Sequence, residues 1–284
     1  MISAMQKQPD GTIQLTITIP SNEVKKTWEG MVEEVAKDIE VQGFRKGKAP
    51  RNLVEEKIDK EKVREEVLKK LLPKFYMDAV QENNLRPIMN PKIHIQKIDG
   101  PSTLSEQSES KGWQFEALTC EAPEVNLDDY KQNIQKITSK SKIIIPGKEK
   151  TEVKFEEIVK ALLDSVTITI PQILIDGEVD RLLAQTLDDI KRLGLTLDQY
   201  LSSTGKTPEG LRDEYKKKAG SDIKLEFALQ KIATEERIQV SEKEIEEAIQ
   251  KAKDEKERKN LEANRYLLAS ILRQQKTLDF LKNL

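Results

Sequence analysis

The first third of the chain changes from the hydrophobic repeat of a strand to that of a helix. Apolar residues occupy every second position over 13–19, which predicts a half-buried strand. From Val24 to Ile39 they recur at steps of three and four, and the same spacing returns over 63–79, so two amphipathic helices are predicted. Pro73 lies inside the second helix and is expected to kink it or to divide it.

Two further strands are predicted after these helices. Ile93, Ile95 and Ile98 indicate one, and the alternating residues Trp113, Phe115 and Ala117 indicate the other. One strand, then helices, then two strands is typical of an α+β domain. We therefore predict, over 1–121, a small antiparallel sheet covered by helices, with a helix-loop-helix tip.

The chain after residue 151 has the periodicity of helices almost throughout. Pro171 and Pro208 suit helix starts, Gly194 suits a helix end, and Ser241 with Glu244 forms a capping-box pattern. We predict an extended all-α domain with arm-like helices over 151–284. Residues 122–150 are expected to be a connector, because six lysines stand against one glutamate between 131 and 150. Such a charge run favours a plain linker over an RNA-facing segment.

Residues 41–51 form a compact basic segment between two predicted helices. Gly43 and Gly47 allow a sharp turn, Pro50 suits the start of the next helix, and Phe44 places an apolar side chain at the tip. No acidic residue occurs between Glu40 and Glu55. The cations of the segment are Arg45, Lys46, Lys48 and Arg51. An exposed aromatic ring among cations predicts a binding loop, whereas a solvated turn would not need Phe44.

Composition limits the functional classes. The 284 residues are 35% charged and 37% hydrophobic, and the formal net charge is −2, so attraction to nucleic acid must come from local patches. No basic-then-apolar leader and no run of about 18 apolar residues is present, so we expect a cytoplasmic protein without membrane contact.

No catalytic, cofactor or metal site is predicted. The single cysteine, Cys120, cannot form an intrachain disulfide, and the single histidine, His94, is expected to point outward from a strand. Neither has placed partners for nucleophilic or metal chemistry.

The basic segment resembles a known motif. Gly43-Phe44-Arg45-x-Gly47-Lys48-x-Pro50, with Lys46 completing a Phe-Arg-Lys triplet, resembles the ribosome-docking signature of trigger factor, the bacterial chaperone that meets nascent chains at the exit tunnel. In the second half, Ile170-Pro171, Leu174-Ile175 and Glu178 resemble the entry to that family's first C-terminal arm.

The resemblance implies an ATP-independent chaperone without a cofactor, in which 1–121 is the ribosome-binding domain and 151–284 is a helical domain that shields client chains in a cleft. No enzymatic activity is expected, because the segment between the two halves is too short for the isomerase domain of the family. The partners of the chaperone would be the ribosomal protein and rRNA of the large subunit at the tunnel exit, and nascent or unfolded polypeptides; a homodimer away from the ribosome is left open. The docking residues implied are Gly43, Phe44, Arg45, Lys46, Gly47, Lys48 and Pro50.

The sequence departs from the family pattern between the two halves. The family carries an FKBP-like prolyl isomerase domain there, but residues 122–150 are too few for one and contain a single aromatic residue, Tyr130. Two alternatives stay open at this point. One is an RNA-binding protein that uses the basic segment 43–51, and the other is a prolyl isomerase of reduced form.

Overall fold

The computed structural model describes residues 3–37, 44, 57–98, 112–142 and 154–284, with the side chains of 140–142 left aside. The described chain divides into two compact units, Met1–Ala122 (unit 1) and Pro123–Leu284 (unit 2).

Unit 1 contains a four-stranded antiparallel sheet. Its order is β1-β2-β4-β3, so β2 and β4 are central and the other two are edges. The strands are β1 Ser3–Lys7, β2 Thr12–Ile19, β3 Lys92–Lys97 and β4 Trp113–Cys120. The predicted strands are confirmed, but β1 was not predicted, because Met5 is its only large apolar residue and the strand is mostly exposed.

One face of this sheet carries the core of unit 1. The register sets Leu15 opposite Ala117 and Ile17 opposite Phe115, so the alternating apolar residues of β2 and β4 form one continuous layer. Helices α1 (Ser21–Ala36) and α2 (Lys60–Glu82) cover that layer. On the opposite face Glu116 accepts hydrogen bonds from Gln14 and Gln96. The predicted α+β architecture is therefore confirmed.

Helix α2 runs without interruption through Pro73, so the expected division of this helix is wrong. A proline removes one backbone donor and crowds the preceding turn. Leu71 and Phe75 are buried on either side of it, and this packing holds both halves of the helix against the sheet. At the start of α2, Asp59 accepts from the backbone N–H groups of Glu61 and Lys62, which caps the helix.

In the part of unit 2 that the structure describes, the regular elements are helices and one short strand pair. The pair joins β5 Val125–Asn126 to β6 Thr167–Ile168. The helices are α3 Tyr130–Lys142, α4 Phe155–Ser165, α5 Gln172–Arg192, α6 Leu197–Thr204, α7 Pro208–Glu235, α8 Glu242–Gln250, α9 Glu255–Ala263 and α10 Arg265–Asn283.

Residues 125–142 differ from the linker that their lysines indicated. They form β5 and α3, and the apolar residues Leu127, Tyr130 and Ile134 are buried against α4, α7 and α10. The Tyr130 hydroxyl donates to Glu236 at 3.2 Å, and Lys131 pairs with the same carboxylate at 2.6 Å. Spacings of three and four residues carry this buried stripe, while Lys131 and Lys136 are exposed.

The described part of unit 2 buries its apolar residues in three separate clusters. The largest joins α3, α4, the end of α7 and α10. A second lies between α5 and α7, where Val179, Leu182 and Ala219 are buried, and a third joins α8 to α10 around Ile245. Helix α7 takes part in two of them, so it continues from the body of the unit into an arm formed with α5. The predicted all-α second domain with an arm is thus confirmed.

A substitution at Gly112, the residue before β4, tests the packing at the start of this strand. Its φ is +91°, and a Cβ there would lie 1.9 Å from the Ile19 carbonyl oxygen. Gly112→Ala should therefore lower the free energy of unfolding by about 2–4 kcal/mol. Urea denaturation followed by tryptophan fluorescence measures the change.

Gly30, inside α1, is the matched control, since a Cβ there meets nothing within 4 Å. Gly30→Ala should stabilise the protein by about 0.5–1 kcal/mol through helix propensity. Equal midpoints for the two variants would contradict the assigned register between β2 and β4.

Candidate functional site

The predicted docking loop is described at one residue only. Phe44 lies in a bend, and 43% of its side chain is exposed. The other predicted docking residues lie outside the described residues, so the loop stays a prediction from the sequence. They are Gly43, Arg45, Lys46, Gly47, Lys48 and Pro50.

The arm of unit 2 is a helix pair with a narrow core. Between α5 and α7 the buried side chains Val179, Leu182 and Ala219 are flanked by a hydrogen bond of 2.6 Å between the hydroxyls of Thr186 and Tyr215. Two helices in contact bury only the stripe between them. Apolar residues beyond that stripe therefore remain in contact with water.

The end of the arm exposes a group of leucines. Leu187 on α5, Leu193 and Leu195 in the turn, and Leu197 at the start of α6 are all exposed, and Leu193 reaches 73%. We call these four residues the leucine tip. Exposure of these apolar side chains to water is unfavourable, and adjacent exposed leucines are a feature of binding surfaces.

The backbone of the leucine tip is well determined. Gly194 has a φ of +72° after the last turn of α5, and the Leu195 N–H donates to the Ile190 carbonyl at 3.1 Å. Thr196 and Gln199 then form a capping box at the start of α6. Leu193, Leu195 and Leu197 are thus carried on a backbone that is held by hydrogen bonds.

A second apolar surface lies along α10. Tyr266 is 92% exposed, and Leu267 and Ile271 are also exposed on this helix. Next to Tyr266 lies a cleft of about 590 Å³ between α7, the connection 238–240 and α10. From Tyr266 to Gln275 the sequence contains one charged residue, Arg273.

Arg273 and Lys276 fix one wall of this cleft. Arg273 donates to the Ile238 carbonyl at 3.0 Å, and Lys276 donates to the Gln239 carbonyl at 2.7 Å and to Glu244 at 2.8 Å. The bond from Lys276, together with the N–H and hydroxyl of Ser241, lowers the pKa of Glu244 to about 2. Arg273, the one charged residue between Tyr266 and Gln275, thus has its guanidinium directed at a backbone carbonyl.

The described residues contain no group of three or more histidine, cysteine or acidic side chains that could hold a metal ion. His94 is exposed on β3, as expected. Burial at the end of β4 raises the pKa of the Cys120 thiol to about 11, so the thiol stays protonated and poorly nucleophilic at neutral pH. Within the described ranges, no helix is long and apolar enough to cross a bilayer.

Two family models match this chain. The model described as bacterial trigger factor protein matches residues 1–165, and the model for the C-terminus of the same protein matches residues 126–283. The chain belongs to the trigger factor family. The family membership that the basic segment and the arm entry indicated is thereby confirmed.

Individual trigger factors match a smaller part of the chain. Those of Staphylococcus epidermidis and Staphylococcus aureus are each 32% identical over 131 residues, which is 46% of this chain and 28% of each relative. The matched part of the chain thus covers less than a third of the length of these curated relatives.

One solved structure is similar over the whole chain. It comes from work on promiscuous substrate recognition in folding and assembly activities of the trigger factor chaperone. The TM-score is 0.64 at 15% identity, with 100% of this chain and 99% of that chain covered. At this identity the similarity shows a shared trigger factor fold.

For this trigger factor family member, the sequence alone did not locate the exposed apolar surfaces of unit 2. The leucine tip had a readable signal, since Leu193, Leu195 and Leu197 alternate through a turn where polar residues are usual. On α10, Tyr266 and Ile271 could not be separated from core residues by spacing alone. Leu268, which shares their helix and is buried against α8, has the same apolar character.

The lowered pKa of Glu244 predicts a pH dependence of stability. Because the folded state binds this proton less tightly than the unfolded state, the carboxylate contributes stability above its ordinary pKa of 4.5, and the contribution is lost as the pH falls towards about 2. Glu244→Gln should be less stable than the parent near neutral pH, and the difference should shrink over that acidic range. Urea midpoints at several pH values measure it.

Glu246→Gln is the control on the same helix, since Glu246 has no hydrogen-bond or ion-pair partner among the described residues. Near neutral pH this variant should lose less stability than Glu244→Gln. A difference between Glu244→Gln and the parent that does not change with pH would contradict the assigned contacts.

Proposed function

We propose that this protein is an ATP-independent chaperone that holds nascent or unfolded polypeptides in the cytoplasm. The observation that carries the proposal is the leucine tip, four exposed leucines at the end of the arm, two of which lie in its hydrogen-bonded turn. The exposed Tyr266, Leu267 and Ile271 of α10 provide a second apolar surface in the same unit. Membership of the trigger factor family supports the same function.

Reversible holding requires modest binding energy at each contact. Burying a leucine completely contributes about 1.5–3 kcal/mol, and a partly exposed one contributes less. A few such contacts, reduced by the entropy lost when a flexible chain is ordered, give weak binding that many sequences can share. No nucleotide hydrolysis is needed to release a client held in this way.

The proposal includes docking on the large ribosomal subunit. The basic segment 43–51 supports this part, together with the exposed side chain of Phe44. Arg45, Lys46 and Lys48 would supply salt-sensitive attraction to phosphate or acidic groups, and Phe44 would enter an apolar pocket as the anchor. A client bound at the same time would tighten docking through effective concentration.

We further propose that the protein has no prolyl isomerase activity. The support is the shortness of the sequence between its two halves, where residues 143–153 separate α3 from α4. An isomerase pocket needs several convergent apolar and aromatic side chains, which so short a segment does not supply.

The leucine tip can be tested with a triple variant, Leu193→Ser, Leu195→Ser and Leu197→Ser. Because these side chains are exposed, the fold should persist, while half-suppression of client aggregation should need about threefold or more of the protein. Light scattering of a refolding client measures this. Met77→Ser with Ile88→Ser removes exposed apolar side chains from unit 1 and should change little. Equal protection by the parent and the triple variant would refute the assignment of the tip.

The docking loop can be tested by changing Phe44, Arg45 and Lys46 together to alanine. Loop side chains contribute little to a core, so the variant should fold normally but should co-sediment with ribosomes at least about tenfold less. Co-sedimentation with purified ribosomes measures the loss.

A control variant changes Met77, Lys57 and Lys70 to alanine, which removes one exposed apolar and two exposed basic side chains elsewhere in unit 1. It should sediment like the parent. If the parent instead binds bare RNA as tightly as assembled subunits, the RNA-binding alternative replaces ribosome docking.

A further inference from the structure

An open groove of about 690 Å³ lies between α4 and α7, away from the leucine tip and from the cleft beside α10. Its floor is apolar and includes Phe155, Val159 and Leu163 of α4 and Leu225 of α7. Phe155 is more than half exposed, so a large aromatic ring borders an unfilled depression. A surface of this kind is suited to apolar side chains of a partner.

The α7 wall of the groove is positively charged. Lys216, Lys217 and Lys224 line it, and none of them forms an ion pair within the described part of the chain. No acidic residue of α7 lines the groove. The α4 wall carries Lys160 together with Glu156 and Asp164, and its net charge is −1. The four lysines and two carboxylates that line the groove leave a net charge of +2, and the positive excess lies on α7.

Gly220 lies on the same wall, in the interior of α7. Glycine inside a helix costs about 1 kcal/mol relative to alanine. Packing does not require it here, since a Cβ at Gly220 would meet nothing within 4 Å and the residue has no positive φ. Its missing side chain keeps the groove open between Lys216 and Lys224, one turn away on each side.

We infer that this groove binds an acidic amphipathic segment of an unfolded client, with apolar side chains on the floor and carboxylates facing the lysines of α7. The lining runs over 155–164 on α4 and 216–225 on α7, which corresponds to about 14 Å or about two and a half helical turns. Three of the four apolar floor residues, Val159, Leu163 and Leu225, are aliphatic, which favours the apolar side chains of a polypeptide over RNA bases, whose usual platform is aromatic. The inference rests on the proposed function for the source of the segment, but the site is separate from the leucine tip.

The test uses the full-length protein and three labelled peptides of about twelve residues, identical in their apolar positions. They carry glutamate, glutamine or lysine at the remaining positions and a neutral dye. Fluorescence anisotropy should give the glutamate peptide an affinity at least about fivefold higher than the glutamine peptide, with the lysine peptide weakest. Added salt should reduce the difference.

Two groove variants should remove this preference. Lys216→Glu with Lys217→Glu reverses two exposed charges and should weaken the glutamate peptide by about tenfold. Gly220→Trp should fill the groove and weaken all three peptides, whereas Gly220→Ala should bind normally and raise the unfolding midpoint. Circular dichroism establishes that each variant is folded.

The matched control is Lys218→Glu with Lys251→Glu. Both are exposed lysines of unit 2, the net charge change is the same, and neither lines the groove. This variant should keep the preference for the glutamate peptide. An equal loss in the control, or tighter binding of the lysine peptide by the parent, would overturn the inference.

Two further measurements distinguish RNA binding from peptide binding and the groove from the leucine tip. A single-stranded RNA that displaces the glutamate peptide and still binds Gly220→Trp would overturn the inference in favour of a nucleic-acid surface. Substitution of the leucine tip should leave glutamate-peptide binding unchanged. Failure of the chaperone proposal at the tip would therefore be distinguishable from failure at the groove.

Discussion

Two packed helices bury only the side chains that lie between them, and much of unit 2 is built from such pairs. The arm of α5 and α7 closes on a stripe around Val179 and Ala219, and its outer leucines have no partner. Dividing the apolar residues among separate clusters leaves more of them at the surface than a single core would. The exposed surfaces assigned to client binding follow from this limit, and the capped turn at Gly194 keeps them ordered.

Unit 1, by contrast, buries its apolar residues in a single core. Its sheet presents one apolar layer from β2 and β4, and α1 and α2 cover that layer in a single cluster. On the helix-facing side of the sheet, Met5 and Ile95 of the two edge strands are exposed. A closed core of this kind provides a stable base for a binding loop, whose side chains do not have to contribute to folding.

The sequence was most informative where one periodicity persisted. The alternation over 13–19 and the spacing of Val63, Val67 and Leu71 each gave the element found and the face that is buried. It failed at residues 130–142, where counting lysines hid the buried stripe of Tyr130 and Ile134. Neither the leucine tip nor the groove beside Gly220 could be located, since both depend on which helices come together, and that is a property of tertiary packing.

The contacts of Arg273 and Lys276 have a consequence for how the connection between α7 and α8 can evolve. Both side chains bind main-chain carbonyls, those of Ile238 and Gln239, which every amino acid supplies. Many substitutions at the exposed Gln239 would therefore leave the attachment of this connection to α10 intact. Loss of either cation, by contrast, would remove one of these attachments. The attachment therefore requires particular residues on α10, whereas the sequence of the connection between α7 and α8 can vary.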